Sequence, residues 1–579
     1  MKLKLLMALL LILPIVYADS GSMKILAVSE QNGTYEGRLA DLYLAVSPGY
    51  GRVYIESQPL SQLDLQFSTR LARDVACDYT EVDCEDYDFF YTIKASSSIV
   101  GGPSAGAAAT ILTTALLSNE VIDNETTITG TINSGGVIGP VGRIKDKIDS
   151  ASIGKIKKVL IPYGSIEEGV DLIEYGRNKG IEVIEVSDLD DALYHFTGQE
   201  KIYAQNISIN PKYQTIMRSV AEGMCNQSMN TLKKTLNYIY KEGKAIPDPA
   251  LEIERSASEF YMKGQTFMDK EKYYSGASQC FGSNVRYREF EYLVKEYGKE
   301  EILAISNSTS GYLNELDEQI NKESKKYLSD LEAYMIIKER IMDAEKNIQE
   351  ALKTGSLNAL SYAVERANSA FMWSKFFDMN EKKIKLANLE TSCLNRLTEV
   401  NELHSYVSLF LPNVLGGVDE DIELIRKYID NKDYELCLFK ASKTKADINV
   451  ILSSIGVSEN QIDSLLKRKI TAAKKVIIKE NSKSVFPILG YSYYEYANSL
   501  KDTERYLSLV YSEYGLELSN LDVYFKDGRF SFSLPSFNFG GMDTRAVSFL
   551  FAGILVGIVI TLFVSRKRKR KKFKGIIKF

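Results

Sequence analysis

Gly101-Gly102-Pro103-Ser104-Ala105-Gly106, followed at once by the apolar run Ala107 to Leu117, is the stretch on which the reading of this chain turns. A proline at the first helical position gives up only an N–H that has no helical partner there, and its fixed φ suits the helix. Ser104 is therefore predicted in the first turn of a helix, beside unpaired amides and the positive end of the helix dipole. That is an environment suited to a developing oxyanion. A serine hydroxyl is a weak nucleophile unless a base takes its proton. The 579 residues hold two histidines, His195 and His404. The first falls in what reads as a terminal helix of the N-terminal domain and the second in a separate helical region, so a Ser-His-Asp relay is hard to assemble. Lysine is the natural substitute. A strand-like Thr127 to Ile132 and a turn at Asn133-Ser134-Gly135-Gly136 lead to Gly139-Pro140-Val141-Gly142-Arg143-Ile144-Lys145-Asp146-Lys147, which opens another helix. Lys145 and Lys147 are both candidates, and they point to different helix faces.

Read in order, Gly102-Pro103-Ser104-Ala105-Gly106, Thr129-Gly130, Gly139-Pro140-Val141-Gly142 with a helix-borne lysine, and Lys158-Val159-Leu160-Ile161-Pro162 resemble the proteolytic domain of Lon-type serine proteases. The resemblance covers residues 24–198, about a third of the chain. It implies the compact Lon proteolytic fold and amide hydrolysis by a Ser-Lys dyad. In that family the lysine stands at a nearly fixed distance after the serine, and the 43 positions from Ser104 to Lys147 select Lys147 over Lys145. The same alignment makes Thr129 the hydroxyl that supports the lysine ammonium, and the backbone amides of Gly102, Ser104 and Ala105 the oxyanion site. Relatives form rings, which implies a homo-oligomer. Two features depart from the common pattern. Gly101 stands where many relatives carry an acidic residue, and no Gly-x-x-x-x-Gly-Lys-[Ser/Thr] phosphate loop occurs within these residues, so no ATPase motor is expected.

The chemistry makes its own demand. A lysine serves as general base near neutral pH only if burial and nearby dipoles lower its pKa by several units from about 10.4. Val141, Ile144 and Ile148 are placed to provide that burial. Taken singly, Ser104 would more often be a plain helix-start residue and Lys147 a solvated charge; the ordered flanking blocks decide for the site.

Targeting features point outward. Lys2 and Lys4 precede the apolar run Leu5 to Val16, and Val16-Tyr17-Ala18 resembles a cleavage site, which reads as a signal peptide over 1–18. Residues 546–565 carry no charge and are long enough for a transmembrane helix across a ~30 Å hydrocarbon core. A basic tail, 566–579, follows, with Arg566 to Lys574 holding eight cations; it is expected to stay cytoplasmic and to leave the bulk of the chain outside the cell membrane. A lipid-facing stop-transfer signal fits that cluster better than a nucleic-acid patch. The net charge of −5 with those eight cations leaves −13 for the rest, an acidic exterior that argues against nucleic-acid partners.

Cys77, Cys84, Cys225, Cys280, Cys393 and Cys437 form an even set for which disulfides are permitted in an exported chain. Cys77 with Cys84 would close a short loop, while Cys225 with Cys280 and Cys393 with Cys437 would staple helical pairs. No Cys-x-x-Cys spacing occurs and histidine is scarce, so neither a metal nor another cofactor is expected.

The expected fold class is an α/β (α+β) Lon-like proteolytic domain over 24–198, a mainly α-helical array over 205–520, a juxtamembrane linker over 521–545 and the C-terminal transmembrane helix. In the first domain strands are predicted at Lys24 to Val28, Arg52 to Ile55, Phe89 to Ala95, Thr127 to Ile132, Lys158 to Ile161 and Glu182 to Val186. Helices are predicted at Ser61 to Val75, Ser104 to Leu117, Arg143 to Ala151 and Ile166 to Arg177. In the array, Leu251 to Met268 followed by Lys272 to Tyr297, and Val418 to Asn431 followed by Asp433 to Leu452, suggest tetratricopeptide-like pairs with small residues such as Ala277 and Ala441 between them. Its tyrosines read mainly as packing material.

Together these readings describe an ATP-independent serine endopeptidase of the secreted, membrane-anchored and chiefly archaeal Lon-like branch. It would hydrolyse unfolded or flexible polypeptides at the outer membrane face. The alternative is a membrane-tethered scaffold in which a Lon-like domain supports a partner-capturing helical array.

Overall fold

Alternation of apolar and polar residues builds the first sheet. Its strands are β1 (Asp19–Gln31), β2 (Thr34–Pro48), β3 (Val53–Gln58) and β4 (Tyr87–Ala95), in the order β1-β2-β4-β3. Met23 and Ile25, Leu42, Leu44 and Val46, and Phe89, Tyr91 and Ile93 are buried on one face, while Tyr43, Phe90 and Tyr54 are exposed on the other. β1 and β2 pair antiparallel from Asp19↔Val46 to Gln31↔Thr34, and β3 joins β4 in parallel. The computed structural model describes residues 19–525 apart from 32–33, 59–62, 96–102, 168, 202–205, 380–382, 385–388, 409–410, 412–413, 456 and 522–524. The expected signal peptide, membrane span and basic tail, with nearly all of the linker, lie outside the described residues. Among the described residues no helix is long and apolar enough to cross a membrane.

A second sheet is parallel throughout: β5 (Thr126–Ile128), β8 (Lys158–Pro162) and β9 (Glu182–Val186), in the order β5-β8-β9. Between β5 and β8 the chain makes a small antiparallel hairpin, β6 (Thr131–Ile132) and β7 (Ile138–Gly139). The helices of this domain are α1 (Leu63–Thr80), α2 (Gly106–Leu117), α3 (Ile144–Ile153), α4 (Leu172–Asn178) and α5 (Leu189–Thr197). α2 is apolar on every side, and Gly106 to Ala115 are all buried, as expected of a helix in the middle of a core. It packs Ala108, Ile111 and Leu112 against the first sheet and α5. A second core, with Leu26, Ile144, Ile148, Val159, Ile161 and Leu172, joins α3 and α4 to the second sheet.

Three expectations need correction. β2, fifteen residues long, was not predicted, because its polar positions from Glu36 to Asp41 mask a strand that buries only one face. The helix expected from Ile166 begins only at Leu172, where Asp171 caps it by accepting the N–H groups of Ile173 and Glu174, both at 3.0 Å. The strand expected over Thr127 to Ile132 breaks at Thr129 and Gly130 into β5 and β6, which belong to different sheets.

The remainder is helical: α6 (Pro211–Glu242), α7 (Asp248–Asp269), α8 (Tyr273–Val294), α9 (Lys299–Lys322), α10 (Leu328–Thr354), α11 (Leu357–Trp373), α12 (Leu389–Ser408), α13 (Gly416–Asp430), α14 (Tyr434–Ser454), α15 (Ile462–Ser482), α16 (Ile488–Leu500) and α17 (Arg505–Ser519). The two predicted helix pairs are present as α7 with α8 and α13 with α14. Ala277 and Ala441 are buried, and Gly264 lets α7 approach α8 so closely that a Cβ would lie 2.6 Å from Cys280 Sγ. Lengths run from 13 residues in α16 to 32 in α6, so no constant repeat emerges. Tyr273, Tyr274, Tyr287, Tyr292 and Tyr491 are core residues. All three disulfides form as paired above: Cys77–Cys84, Cys225–Cys280 and Cys393–Cys437. The described residues make one structural unit.

Candidate active site

The break at Thr129 and Gly130 creates the site. Thr129 still completes the second sheet, donating its N–H to the Leu160 carbonyl at 3.0 Å. Gly130 turns away instead: its N–H donates to the Ser104 carbonyl and its own carbonyl accepts from Ala107, each at 3.0 Å. The serine turn is thus stitched by two backbone hydrogen bonds to the residue after Thr129. A Cβ at Gly130 would lie 2.6 Å from Ile138 Cγ2, so any side chain there would force Ile138 to shift.

Ser104 occupies a single 3₁₀ turn, Pro103–Ala105, that runs directly into α2, rather than the first turn of the α-helix itself. It is half-buried. With Ala105 it lies at the positive end of α2. Gly102, the third expected oxyanion residue, lies outside the described residues.

Lys147 projects from the first turn of α3 and is 4% exposed. Its Nζ donates to Thr129 Oγ1 at 3.0 Å. Burial among the apolar residues of the α3 core pushes the amine down from 10.5 to about 8, opposed by the negative charge of Glu167. Ile144 and Ile148 are buried beside it, as expected, and Val141 is partly buried against the same cluster. Lys145, the other candidate, lies on a different face with its Nζ 5.5 Å from the centre of the Tyr175 ring. Both histidines are engaged elsewhere: His195 faces Asp191 at 3.8 Å, and His404 hydrogen-bonds Asp419 at 2.8 Å.

The structure therefore brings Thr129 and Lys147 into direct contact and ties the backbone of Ser104 to their neighbour Gly130. Among the described residues no hydrogen bond joins Ser104 Oγ to Lys147 Nζ. The amine is held by the threonine, and the serine turn by the residue that follows it.

Glu167 is a site residue that the sequence reading did not single out. It sits in the loop after β8 and its Oε2 accepts the Lys145 N–H at 2.9 Å, anchoring the start of α3 while its charge acts on Lys147. The sequence placed it in the helix expected from Ile166, and only the structure sets it in the loop ahead of that helix. Arg143, just ahead of α3, adopts φ 60°, a conformation uncommon outside glycine, and its guanidinium lies 3.8 Å from the centre of the Tyr35 ring.

Residues 79–197 match the Lon protease (S16) C-terminal proteolytic domain. The chain is similar to the Lon protease of Paraburkholderia phytofirmans, 27% identical over 179 residues that make up 30% of this chain and 22% of that one. The Lon protease of Phenylobacterium zucineum is 28% identical over 25% of this chain and 19% of its own, and that of Rickettsia felis 32% identical over 19% and 14%. The chain thus spans no more than about a fifth of the length of these curated relatives.

Proposed function

We propose that this protein is an ATP-independent serine endopeptidase in which Ser104 is the nucleophile and Lys147 the general base. The observation that carries the reading is a lysine buried to 4% exposure, its amine brought to about 8 and held by Thr129 beside the serine turn. An ordinary surface lysine is charged throughout the neutral range and cannot accept a proton; this one is unprotonated in an appreciable fraction of molecules. In the mechanism Lys147 accepts the Ser104 hydroxyl proton as the oxygen attacks the scissile carbonyl. The amides of Gly102, Ser104 and Ala105 hold the oxyanion, and the proton then passes to the leaving amine. Water, activated by the same amine, hydrolyses the acyl-serine. Thr129 fixes the amine while these transfers occur.

Substrates are unstructured or locally unfolded polypeptides, because the chain carries no phosphate loop to drive unfolding and a folded backbone cannot extend into a cleft. Three disulfides favour an oxidising compartment, in keeping with the signal-like 1–18 and the span-like 546–565 with its basic tail. The catalytic domain would thus face outward from the cell membrane, in a ring of identical subunits. No cofactor enters this chemistry.

Degradation of a casein-type unfolded substrate by the wild type, Ser104→Ala and Lys147→Ala tests the reading, together with labelling of Ser104 by an acylating active-site probe. Loss of activity in both variants is expected. Equal rates in all three would end the protease reading and favour a scaffold; labelling of Ser104 without casein cleavage would indicate a peptidase dedicated to one substrate.

A further inference from the structure

The segment that links Thr129 to Lys147 is gripped by the helical array. Between those residues the chain runs through β6, the turn Asn133–Gly136, β7 and the approach to α3. The turn is closed by Asn133 N–H to Val137 O at 2.9 Å and Gly136 N–H to Asn133 O at 3.1 Å. α15 and α17 of the array pack directly on it. Val137 shares an apolar cluster with Ala472, Ala473, Val476 and Leu516. Gly135, at φ 69°, is so close to the array that a Cβ would lie 2.9 Å from Leu516 Cδ2 and 3.0 Å from Ala472 Cβ.

The polar part of this contact is unusual. Lys469 and Glu513, from α15 and α17, form an ion pair in which both side chains are fully buried. Ser134 Oγ donates to Glu513 Oε2 at 2.9 Å and lies 3.4 Å from Lys469 Nζ. Taking two charges out of water costs about as much as their attraction returns, so apolar residues of similar size would hold the helices together at least as well. What apolar residues could not do is fix the orientation of a hydroxyl on the turn. Arg468 adds a donor to the Ile138 carbonyl of β7 at 3.2 Å.

We infer that the helical array is a positioning element for the dyad: Ser134, held by the Lys469–Glu513 pair and backed by Leu516, sets the β6–β7 hairpin and through it the placement of Thr129 against Lys147. Ser134 is a positioning residue and touches neither the amine nor substrate. The inference rests on the Ser104–Lys147 reading above.

Two variants of the full chain test it from opposite sides. Ser134→Ala removes the hydroxyl on the turn, and Leu516→Ala removes the array's packing on Gly135. Each is assayed well below its melting temperature, with a flexible peptide substrate and by the rate of Ser104 acylation. A displacement of the order of 1 Å at a catalytic group lowers turnover by roughly one to two orders of magnitude. The expected result is a loss of at least tenfold in kcat and in acylation rate, with KM within twofold of wild type, and recovery of most of the loss in Ser134→Thr, which restores the hydroxyl. Turnover within twofold of wild type in both variants overturns the inference, as does a loss that merely tracks the unfolded fraction or that threonine does not rescue. A wild-type protein in which Ser104 never acylates overturns the protease reading and the positioning role with it; normal wild-type acylation with unaffected variants overturns the positioning role alone.

Discussion

Replacing Lys147 by methionine should make the protein more stable and inactive at the same time. The ammonium is held in a site that disfavours its charge, and the displacement from 10.5 to about 8 measures that penalty. At ~1.4 kcal/mol per tenfold change it comes to about 3 kcal/mol. Against it stands the loss of the hydrogen bond to Thr129 Oγ1, roughly 1 kcal/mol. Methionine has similar reach and no charge, so Lys147→Met should be more stable by about 2 kcal/mol at pH 7. The pH dependence separates this from a general packing gain. The folded protein releases the lysine proton near 8 and the unfolded chain near 10.5, so between those values the unfolded state binds more protons and wild-type stability rises with pH. Below pH 8 the penalty is fully present. The advantage of Lys147→Met should therefore be constant from pH 6 to 8, shrink steadily above 8, and be gone or slightly reversed by about 10.5. Taking the difference between the two proteins cancels every other titrating group. The sole tryptophan, Trp373, lies in the array, so the α/β domain is better followed by amide exchange of peptides spanning β5 and α3 across a urea series. A variant no more stable than wild type at pH 7, or one whose advantage does not change between pH 8 and 10.5, would refute the argument.

Other consequences follow from the same geometry. The rate of Ser104 acylation should rise with pH along a limb centred near 8, because only the neutral amine accepts the proton; a pH–rate profile measures it. Glu167→Gln keeps an acceptor for the Lys145 N–H but removes the charge that favours the ammonium, so that limb should move to lower pH, and an unmoved limb would show that Glu167 does not act on Lys147. Gly130→Ala drives a methyl against Ile138 and should cost about 1 to 3 kcal/mol, read by exchange at β5, with at least tenfold slower acylation as Thr129 shifts. Removing the Cys225–Cys280 bridge, which closes a separation of 55 residues, by a double alanine substitution should lower array stability by about 3 to 4 kcal/mol in urea unfolding followed by Trp373 fluorescence, since both cysteines share its core cluster.

Much of the site was legible because it depends on local constraints that leave a mark in sequence. Pro103 ahead of Ser104, the apolar run of α2, and the glycines at 130 and 139 each answer a steric or helical requirement that single residues can satisfy. Lys147 was picked out over Lys145 by its 43-position distance from Ser104 in the family it resembles, and the neighbouring Ile144 and Ile148 made its burial an expectation. What did not show was anything set by a partner distant in sequence. β2 exists because β1 and β4 flank it, and nothing within Glu36 to Asp41 requires an extended strand. Thr127 to Ile132 satisfies strand alternation throughout, and its break at Gly130 is imposed by hydrogen bonds to Ser104 and Ala107 rather than by its own preference. Glu167 belongs to the same class, since its effect on Lys147 is made only when the loop after β8 folds back on α3.

Along the array, charge sets the register in which a helix docks. Along α15, Lys469, Ala472, Lys475, Val476 and Lys479 recur at three- and four-residue spacing as a mixed basic and apolar stripe. In the structure it is the face that meets the α/β domain. Lys475 pairs with Asp188 at 3.0 Å and also with Asp190, Lys479 pairs with Asp78 at 2.8 Å, and Lys469 is fully buried with Glu513 under Ser134. Three of these acidic partners come from the domain that carries Ser104 and are separated from the lysines by hundreds of residues, so no window of sequence contains both halves. Exposed ion pairs contribute little to stability, but a stripe that matches charge for charge specifies where a helix docks and excludes a slipped register, in which each lysine would be buried without its acid. Register matters here because one residue of slip along α15 would carry Lys469 and Ala472 away from the turn between Thr129 and Lys147. The charges along α15 are therefore the ones that align it on the hairpin behind the site.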